Sequence, residues 1–285
     1  MFVFSAALLF STGGAAIKAC SLSSWQVAGF RSGIAAVILY IFLPGARPSG
    51  KPGWTRRTWL IGLAYAATLI LFVLANKLTT SANAIFLQST APLYLLLLGP
   101  LVLREPIGKI DLAVILTVAA GAILLLMGSG VPASTSPNPG RGNSIALVAG
   151  VTWALTLTGL RWMGKRPDHA SSTAGTVIAG NLVAFAVCLP MTLPIESVRL
   201  ADFAILLYLG IFQISLAYVL LTRSLGEVPA LEAATLLLIE PVFNPIWTWV
   251  IHGERPGPPA LLGGVLIITA AFAGTVWRIK FTRSL

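Results

Sequence analysis

The chain of 285 residues is 56% hydrophobic and only 10% charged, with a formal net charge of +10. An average soluble protein has about 25% charged residues, so this composition excludes a water-soluble globular domain and indicates a membrane protein. The cations are scattered among alternate helix ends rather than gathered on one face, so the expected partner is a lipid bilayer and not a nucleic acid.

Apolar segments of helical length follow one another along the chain. A helix needs about 20 residues to cross a bilayer, and continuous rather than alternating apolar character distinguishes helices from barrel strands. The sequence therefore predicts an all-α, polytopic membrane protein with ten transmembrane helices. The predicted spans are approximately 2–20, 25–43, 58–76, 82–103, 110–128, 143–163, 172–191, 202–222, 229–251 and 259–277.

Two offsets in the sequence indicate an internal duplication. An offset of 149 aligns Pro92 with Pro241 and Glu105 with Glu254, and an offset of 143 aligns the segment that begins at Phe10 with a later one. Repeats of this kind in an apolar chain are typical of secondary transporters. The chain is therefore predicted to use one helical unit twice.

The predicted domains are a first five-helix repeat at 1–128, a flexible external linker at 129–142 and a second repeat at 143–285. With a cytoplasmic N-terminus, one set of connections holds thirteen cations and the other set four. The positive-inside rule then predicts that both termini lie in the cytoplasm. The expected location is the inner (plasma) membrane. Because five spans form each repeat, the second repeat is expected to be inverted relative to the first.

Several features together resemble the drug/metabolite transporter superfamily, EamA type, and within it the amino-acid exporters, including the aromatic amino acid subgroup. They are a run of small residues that ends at Lys18, Arg31 in the second span, Pro92 and Pro241 within the fourth and ninth spans, and Glu105 and Glu254 after them. The resemblance implies a basket in which spans 1, 3, 4, 6, 8 and 9 surround a central substrate cavity. It also implies efflux from the cytoplasm.

Span nine carries the strongest candidate for a substrate site. Glu240, Asn244 and Trp247 follow at i, i+4 and i+7, so they share one helix face. An ionisable group inside the membrane is a functional candidate by default. In such a row, the carboxylate can bind an ammonium group of a substrate, the amide can bind its polar tail, and the indole can pack against its apolar side chain. The alternative is a carboxyl group that serves helix packing, either protonated or paired with Arg31.

Other intramembrane cations are predicted to have structural roles. Arg31 is expected to form a structural ion pair rather than to contact a ligand, and Glu240, whose estimated depth is similar, is its candidate partner. Lys18, near the outer end of span one, is expected to extend to the interface, where its ammonium group meets water, and the alternative is that it binds a substrate carboxylate.

Span four offers a mixed polar and aromatic stripe. Asn83, Thr90 and Tyr94 lie on one helical face, and Gln88 lies just beside it. Such a face either lines a cavity or forms hydrogen bonds with a neighbouring helix.

The remaining candidates for substrate binding come from four spans. Gln213 and Tyr218 lie on one stripe of span eight, and Ser11 belongs to a stripe of small residues in span one. Trp153 lies well inside span six and is the stronger aromatic candidate for stacking on a substrate, while Tyr65 is a weaker one. Small residues and aromatics in a helix also serve packing alone.

Pro92 and Pro241 are the predicted gating residues. A proline removes a backbone donor and allows a helix to bend. Because the repeats are inverted, Pro92 is expected to permit opening at one membrane face and Pro241 at the opposite face.

These patterns favour a secondary transporter that exports amino acids or related small metabolites by alternating access. A proton-coupled multidrug or other metabolite exporter is the alternative, and a membrane-embedded enzyme is more remote, because the chain has no H-E-x-x-H motif and no paired intramembrane Asp. We predict no catalytic residue, no cofactor and no metal site. The expected partners are a small-molecule substrate and lipid, with protons in the alternative, and the expected state is a monomer.

Overall fold

The computed structural model describes residues 2–43, 54–98, 109–128, 133–164, 169–195, 198–224 and 239–282, together with 47 and 237. Arg104 and Glu105, which the sequence repeat includes, lie outside these residues, as does most of the first third of the predicted ninth span. Within the described residues the secondary structure is helical apart from turns and one isolated bridge. The predicted all-α membrane fold is confirmed.

The helices follow the predicted spans closely. They are α1 Phe2–Ser11, α2 Gly13–Ala19, α3 Ser24–Phe42, α4 Arg56–Leu78, α5 Ser81–Gln88, α6 Ala91–Leu98, α7 Lys109–Met127, α8 Pro139–Gly164, α9 His169–Cys188, α10 Leu200–Tyr208, α11 Ala217–Ser224, α12 Ile239–His252 and α13 Pro258–Thr282. A short 3₁₀ turn, Leu189–Met191, follows α9, and a π-helical segment, Leu209–Leu216, joins α10 to α11.

Six segments are long and apolar enough to cross a membrane. They are Phe2–Ala19, Ser24–Phe42, Arg56–Leu78, Pro139–Leu160, Thr173–Met191 and Leu200–Leu221. Leu112–Met127 and Pro258–Gly274 are shorter apolar helices. Within the described residues the fourth and ninth predicted spans appear as α5 with α6 and as α12, each shorter still, so the number ten stays a prediction. Large apolar side chains such as Leu116 and Val250 are exposed, as a lipid-facing surface requires.

Local hydrogen bonds explain where two of the long helices begin. The Ser23 hydroxyl accepts from the Gln26 amide, and the Gln26 side chain accepts in turn from the Ser23 amide, which forms a capping box before α3. Thr55 and Thr58 make the same reciprocal arrangement before α4. Hydrogen bonds within the local sequence therefore stabilise the start of both helices.

Three of the predicted spans are not regular helices. Span one is interrupted at Thr12, between α1 and α2, and span four is interrupted at Ser89 and Thr90, between α5 and α6. Span eight changes to π-helical geometry over Leu209–Leu216. Irregular backbone at membrane depth is tolerated only where it is buried in protein or lines a cavity.

The two halves of the chain pack through extensive contacts with each other. In the first half, α4 lies against α8 and α9, and α3 lies against α9 and the π segment. The helix α1 lies against α11 and α12, while α5 and α6 lie against α8. The two last helices of the halves, α7 and α13, pack together. The core is therefore built between the halves rather than inside each one.

The described part of the predicted linker is hydrogen-bonded to itself and to the rest of the chain. Ala133 and Ser136 exchange two backbone hydrogen bonds, the Asn138 amide donates to the Leu78 carbonyl at 3.0 Å, and Ser136 is buried. The helix α8 begins at Pro139, inside the predicted linker. Hydrogen bonding to the ends of α2 and α4 gives this Pro- and Ser-rich segment a defined conformation that its composition does not indicate.

Candidate functional site

A group of polar side chains lies buried between five helical segments. We call it the Arg31 cluster, and it consists of Arg31 on α3, Tyr65 on α4, Asn181 on α9, and Gln213 and Tyr218 of span eight. Arg31 Nη1 donates to Gln213 Oε1 at 3.3 Å, and Nη2 donates to the Leu69 carbonyl at 3.0 Å. Three of the predicted site residues, Tyr65, Gln213 and Tyr218, are thus brought together.

Aromatic rings form one wall of the Arg31 cluster. The Tyr218 ring makes edge-to-face contacts with Phe10, at a centroid distance of 5.2 Å, and with Tyr65, at 5.5 Å. Edge-to-face pairs of this kind stabilise packing by about 0.5 to 1.5 kcal/mol beyond the area that they bury. Spans one, three and eight therefore meet at Tyr218.

The π segment sets the position of Gln213. The Ser215 hydroxyl donates to the Gly210 carbonyl at 2.7 Å, a bond to the fifth preceding residue that matches the wider turn. On the other side, a Cβ atom added to Gly13 would lie 2.9 Å from Gln213 Nε2, so a larger residue at position 13 would require this amide to shift. The break in span one and the wide turn in span eight thus face each other across Gln213. Turns of the π type occur frequently at functional sites.

The stripe predicted on span nine continues this site toward α1 and α2. Trp247 Nε1 donates to the Ser11 hydroxyl at 2.9 Å, so two predicted residues are directly bonded. Asn244 is fully buried against Gly14, and neither atom of its amide has a hydrogen-bond partner. Glu240 is half-buried on α12, one turn before Asn244.

Two predicted residues of span four lie elsewhere and make structural contacts. Asn83 donates to Asn143 Oδ1 at 3.3 Å, and Thr90 donates to the Leu87 carbonyl at 2.6 Å while it packs against Gly150 of α8.

Three other predicted residues are half-buried. Gln88 and Tyr94 have this exposure on α5 and α6, and Trp153 packs against the edge of the hydrophobic core. That core includes the rings of Tyr65 and Tyr218, so Trp153 borders the same apolar region as the Arg31 cluster.

The predicted ion pair between Arg31 and Glu240 is wrong. The guanidinium group bonds to a side-chain amide and a backbone carbonyl, and no carboxylate lies within ion-pair distance of it among the described residues. Two residues at a similar depth in the membrane need not be neighbours, because depth along a helix does not specify lateral position. Arg31 points between α4 and the π segment, whereas Glu240 lies on α12.

The prediction that Lys18 extends freely to the interface is also wrong. Its ammonium group lies 3.0 Å from Glu254 Oε2, and both side chains are only 4% exposed. It also donates to the Thr79 carbonyl at 2.8 Å and to the Thr135 carbonyl. A buried carboxylate attracts the ammonium group more strongly than the interface does, because both charges would otherwise be uncompensated in a low-dielectric region.

A network of polar contacts extends around this ion pair and closes one end of the bundle. We call it the Lys18 end. Glu254 Oε1 accepts from the Ser81 amide, which ties α5 to the loop after α12. At the same end, Asp202 accepts from the backbone and the hydroxyl of Ser21, both at 2.6 Å. Spans one, three, four, eight and nine are thus joined here by charged and polar groups.

Two grooves with predominantly apolar walls open along the flanks of the bundle. One, of about 480 Å³, runs between α12 and α13. Another, of about 230 Å³, is bounded by Thr12, Tyr208 and Trp247 together with small residues of α2. At its inner wall the hydroxyls of Thr12 and Tyr208 are bonded at 2.8 Å. The second groove therefore reaches the break in span one from the side.

The two prolines that are predicted to act in gating lie in the helical parts of spans four and nine. Pro92 is the second residue of α6, directly after the break in span four, and Pro241 is the third residue of α12. Pro245, which the sequence analysis did not select, lies inside α12 one turn later. A proline in a helix interior removes a backbone hydrogen bond. The sequence signal was available, since the Asn244-Pro245 pair follows Pro241 by four residues.

Two residues of the site were missed or assigned another role. Asn181 is an isolated amide in the apolar run of span seven, a signal that could have identified it. Its Nδ2 donates to the Val177 carbonyl, and its Oδ1 has no hydrogen-bond partner. The sequence predicts a structural ion pair for Arg31, which has no carboxylate partner among the described residues. Only the lateral arrangement of the helices shows this.

Comparisons with known proteins agree with this architecture. The model of the EamA-like transporter family matches residues 1–127 and 140–274. The pseudopaline exporter CntI of Pseudomonas aeruginosa is 26% identical over 272 residues, which cover 94% of this chain and 92% of that protein. An uncharacterized transporter of Archaeoglobus fulgidus is 26% identical over 264 residues, 89% of this chain and 88% of its own length. A solved crystal structure, 18% identical, covers 98% of this chain and 96% of its own with a TM-score of 0.65, which shows the shared fold.

Proposed function

We propose that this chain, which belongs to the EamA-like transporter family, exports amino acids, aromatic ones among them, or related small metabolites from the cytoplasm by alternating access. The chain is a membrane transporter and not an enzyme. The proposal of amino-acid export rests on the position of the helix irregularities. The break in span one and the π segment of span eight both adjoin the buried Arg31 cluster.

This placement fits what discontinuous helices do in transporters. Their free backbone groups and unwound turns bind polar parts of a substrate near the middle of the membrane. The Arg31 cluster adds hydroxyl, amide and guanidinium groups, and the rings of Phe10, Tyr65 and Tyr218 add apolar surface. Glu240, Asn244 and the Ser11–Trp247 pair extend the proposed site along α12. Polar groups beside aromatic faces match an amino acid, which carries charged groups at one end and a side chain at the other.

The pattern of contacts between helices supports two inverted repeats. A shift of five spans carries the contact of α1 with α11 onto that of α8 with α4, and the contact of α1 and α2 with α12 onto that of α8 with α5 and α6. The pairs α3 with α9 and α7 with α13 map onto themselves. The family model, which matches once in each half, supports the same division. Inverted repeats allow alternating access by rocking one part against the other.

The charge bias of the connections supports an external position for the Lys18 end. The structure then corresponds to a state that is closed toward the outside by the Lys18–Glu254 ion pair and its hydrogen bonds. Export requires this end to open while the cytoplasmic end closes. The name of the pseudopaline exporter supports the direction of transport.

Counterflow in proteoliposomes tests the proposal. The purified full chain is reconstituted, and exchange of amino acids, nucleosides, sugars and cationic dyes is measured with and without a pH gradient. We expect saturable counterflow of amino acids, with aromatic ones among the substrates. Exchange of dyes without amino acids would overturn the proposal in favour of multidrug export, and flux that does not saturate would indicate a channel.

A proton-coupled exporter is the second candidate, and one observation favours it. Glu240 is the carboxylate that α12 presents half-buried in the membrane, without an ion-pair partner among the described residues. An intramembrane carboxylate of this kind is a common proton carrier in transporters. Counterflow that is accelerated by an imposed pH gradient would support this candidate, and it would leave the substrate class open.

A further inference from the structure

Among the residues that the structure describes, Arg31 is a buried charge without a counter-charge. Its side chain is 1% exposed, and both of its hydrogen bonds go to neutral acceptors, Gln213 Oε1 and the Leu69 carbonyl. Its Nε has no hydrogen-bond partner. A guanidinium group stays protonated in proteins, and an uncompensated buried charge is costly. The site thus has one positive charge and one N–H donor in excess.

Two neighbours of Arg31 have unused hydrogen-bonding capacity as well. The Tyr65 hydroxyl is buried beside Asn181 and Tyr218 but makes no well-formed hydrogen bond, and Asn181 Oδ1 has no partner. A phenol can donate to an anion, and an amide oxygen can accept from an ammonium group. Buried polar groups in proteins are nearly always satisfied, so three unsatisfied groups in one place call for an explanation.

We propose that Arg31 and Tyr65 form a carboxylate-binding subsite, with Arg31 Nε and the Tyr65 hydroxyl as donors, and that the transported substrates carry a single carboxylate there. This inference rests on the proposed function, since it assigns the substrate class of the same site. One unpaired guanidinium group balances one negative charge. A phosphate dianion would exceed this charge, because among the side chains that the structure describes the other intramembrane cations, Lys18 and Lys77, are bonded at the Lys18 end.

The remaining geometry gives the subsite its orientation. Gln213 holds the guanidinium plane from the π segment, and the Leu69 carbonyl holds it from α4, which leaves the Nε edge without a bond. The rings of Tyr65 and Tyr218 lie next to this position and can pack against the apolar part of the substrate. Asn181 Oδ1 is available to an ammonium group of the same molecule. The subsite accordingly selects amino acids over amines that lack a carboxylate.

The test compares ligands that differ only in the carboxylate. Binding of L-phenylalanine, L-phenylalaninamide and phenethylamine to the purified full chain is measured by thermal stabilisation, and flux by counterflow. We expect L-phenylalanine to bind at least tenfold more tightly than the other two. Because the wild-type chain alone is needed, this comparison does not depend on a variant that folds.

Variants then assign the effect to Arg31. Arg31→Met is expected to lose at least tenfold in affinity for L-phenylalanine and to bind the amide no worse than the wild type does. Arg31→Lys keeps the charge and is expected to recover part of the affinity. The control is Arg56→Met, which removes an exposed guanidinium group at the start of α4 and is expected to change nothing.

The outcomes separate this inference from the proposed function. Counterflow of amino acids with equal binding of acid and amide, or with no effect of Arg31→Met on affinity, would overturn the carboxylate subsite and leave the exporter intact. Absence of amino-acid counterflow would overturn the proposed function. In that case 3-phenylpropionate and other monocarboxylates are compared with their amides, and the inference fails if no acid binds more tightly than its amide in the wild type.

Discussion

At the scale of single residues, the cations inside the membrane are compensated in different ways. Lys18 has Glu254 at 3.0 Å and two backbone carbonyls, whereas Arg31 has neutral partners only. The first arrangement satisfies a charge within the protein and stabilises one conformation. The second leaves a charge for a ligand to neutralise. The two residues are therefore expected to respond differently to mutation, Lys18 mainly in stability and Arg31 mainly in binding.

Removal of one member of the buried ion pair should destabilise the closed state. Lys18→Met leaves the Glu254 carboxylate buried and unpaired, so the free energy of unfolding is expected to fall by about 3 to 5 kcal/mol. The double variant Lys18→Met, Glu254→Gln is expected to lose less than the sum of the single variants. Denaturation of the purified protein measures this, with exposed Lys109→Met as the matched control. Strict additivity of the two single effects would contradict the coupling.

Glu240 is expected to act in transport rather than in stability. If its carboxylate contacts the substrate or carries a proton, Glu240→Gln should reduce counterflow at least tenfold, which corresponds to about 1.4 kcal/mol. The variant keeps the shape of the side chain, so it should still insert and remain monodisperse. Wild-type counterflow in this variant would show that Glu240 serves packing only.

At the scale of elements, the irregular helices are where motion is expected. The break between α5 and α6 lies directly before Pro92, and Pro241 and Pro245 follow each other by one turn in α12. A missing backbone bond lets a helix bend at that point. Spans four and nine have equivalent places in the two proposed repeats, so their bends should open opposite ends of the bundle.

Pro92→Ala and Pro241→Ala are expected to slow counterflow more than they weaken binding, and to shift the protein toward opposite states. Labelling of reporter cysteines at buried positions measures this shift. The reporters are Ser81→Cys at the Lys18 end and Thr158→Cys on α8. The background lacks Cys20 and Cys188, which are both buried free thiols. The hinge model is excluded if both proline variants increase the labelling of the same reporter, or if neither variant changes the labelling.

At the scale of the whole molecule, the membrane orientation remains a prediction from charge. Thirteen cations lie in one set of connections and four in the other, which places the C-terminus in the cytoplasm and the linker outside. The structure adds that the described part of the linker is bonded to Leu78 and Lys18, so it belongs to the closed Lys18 end.

Labelling from each side of the membrane tests this orientation. A reporter fused after Leu285 should respond in the cytoplasm, and Gly140→Cys should react with an impermeant reagent from the outside. Gly140 is exposed with open space around it, and a cysteine there should not disturb the fold. Ser136, in contrast, is buried and unsuitable. Reaction of both sites from the same face would disprove the inverted arrangement.

The sequence by itself determined the membrane fold, the helix positions and the family, because apolar length and motif content are local properties that a bilayer makes decisive. It also placed Tyr65, Gln213, Tyr218, Ser11 and Trp247 among the candidates, since polar or aromatic side chains in apolar runs are visible one helix at a time. Only the tertiary structure decided which of them meet. Depth along a helix does not specify which helices are its neighbours or how it is rotated, so the sequence suggests Glu240 as the partner of Arg31 and the interface as the surroundings of Lys18. Packing between the halves instead gives Arg31 neutral partners and pairs Lys18 with Glu254.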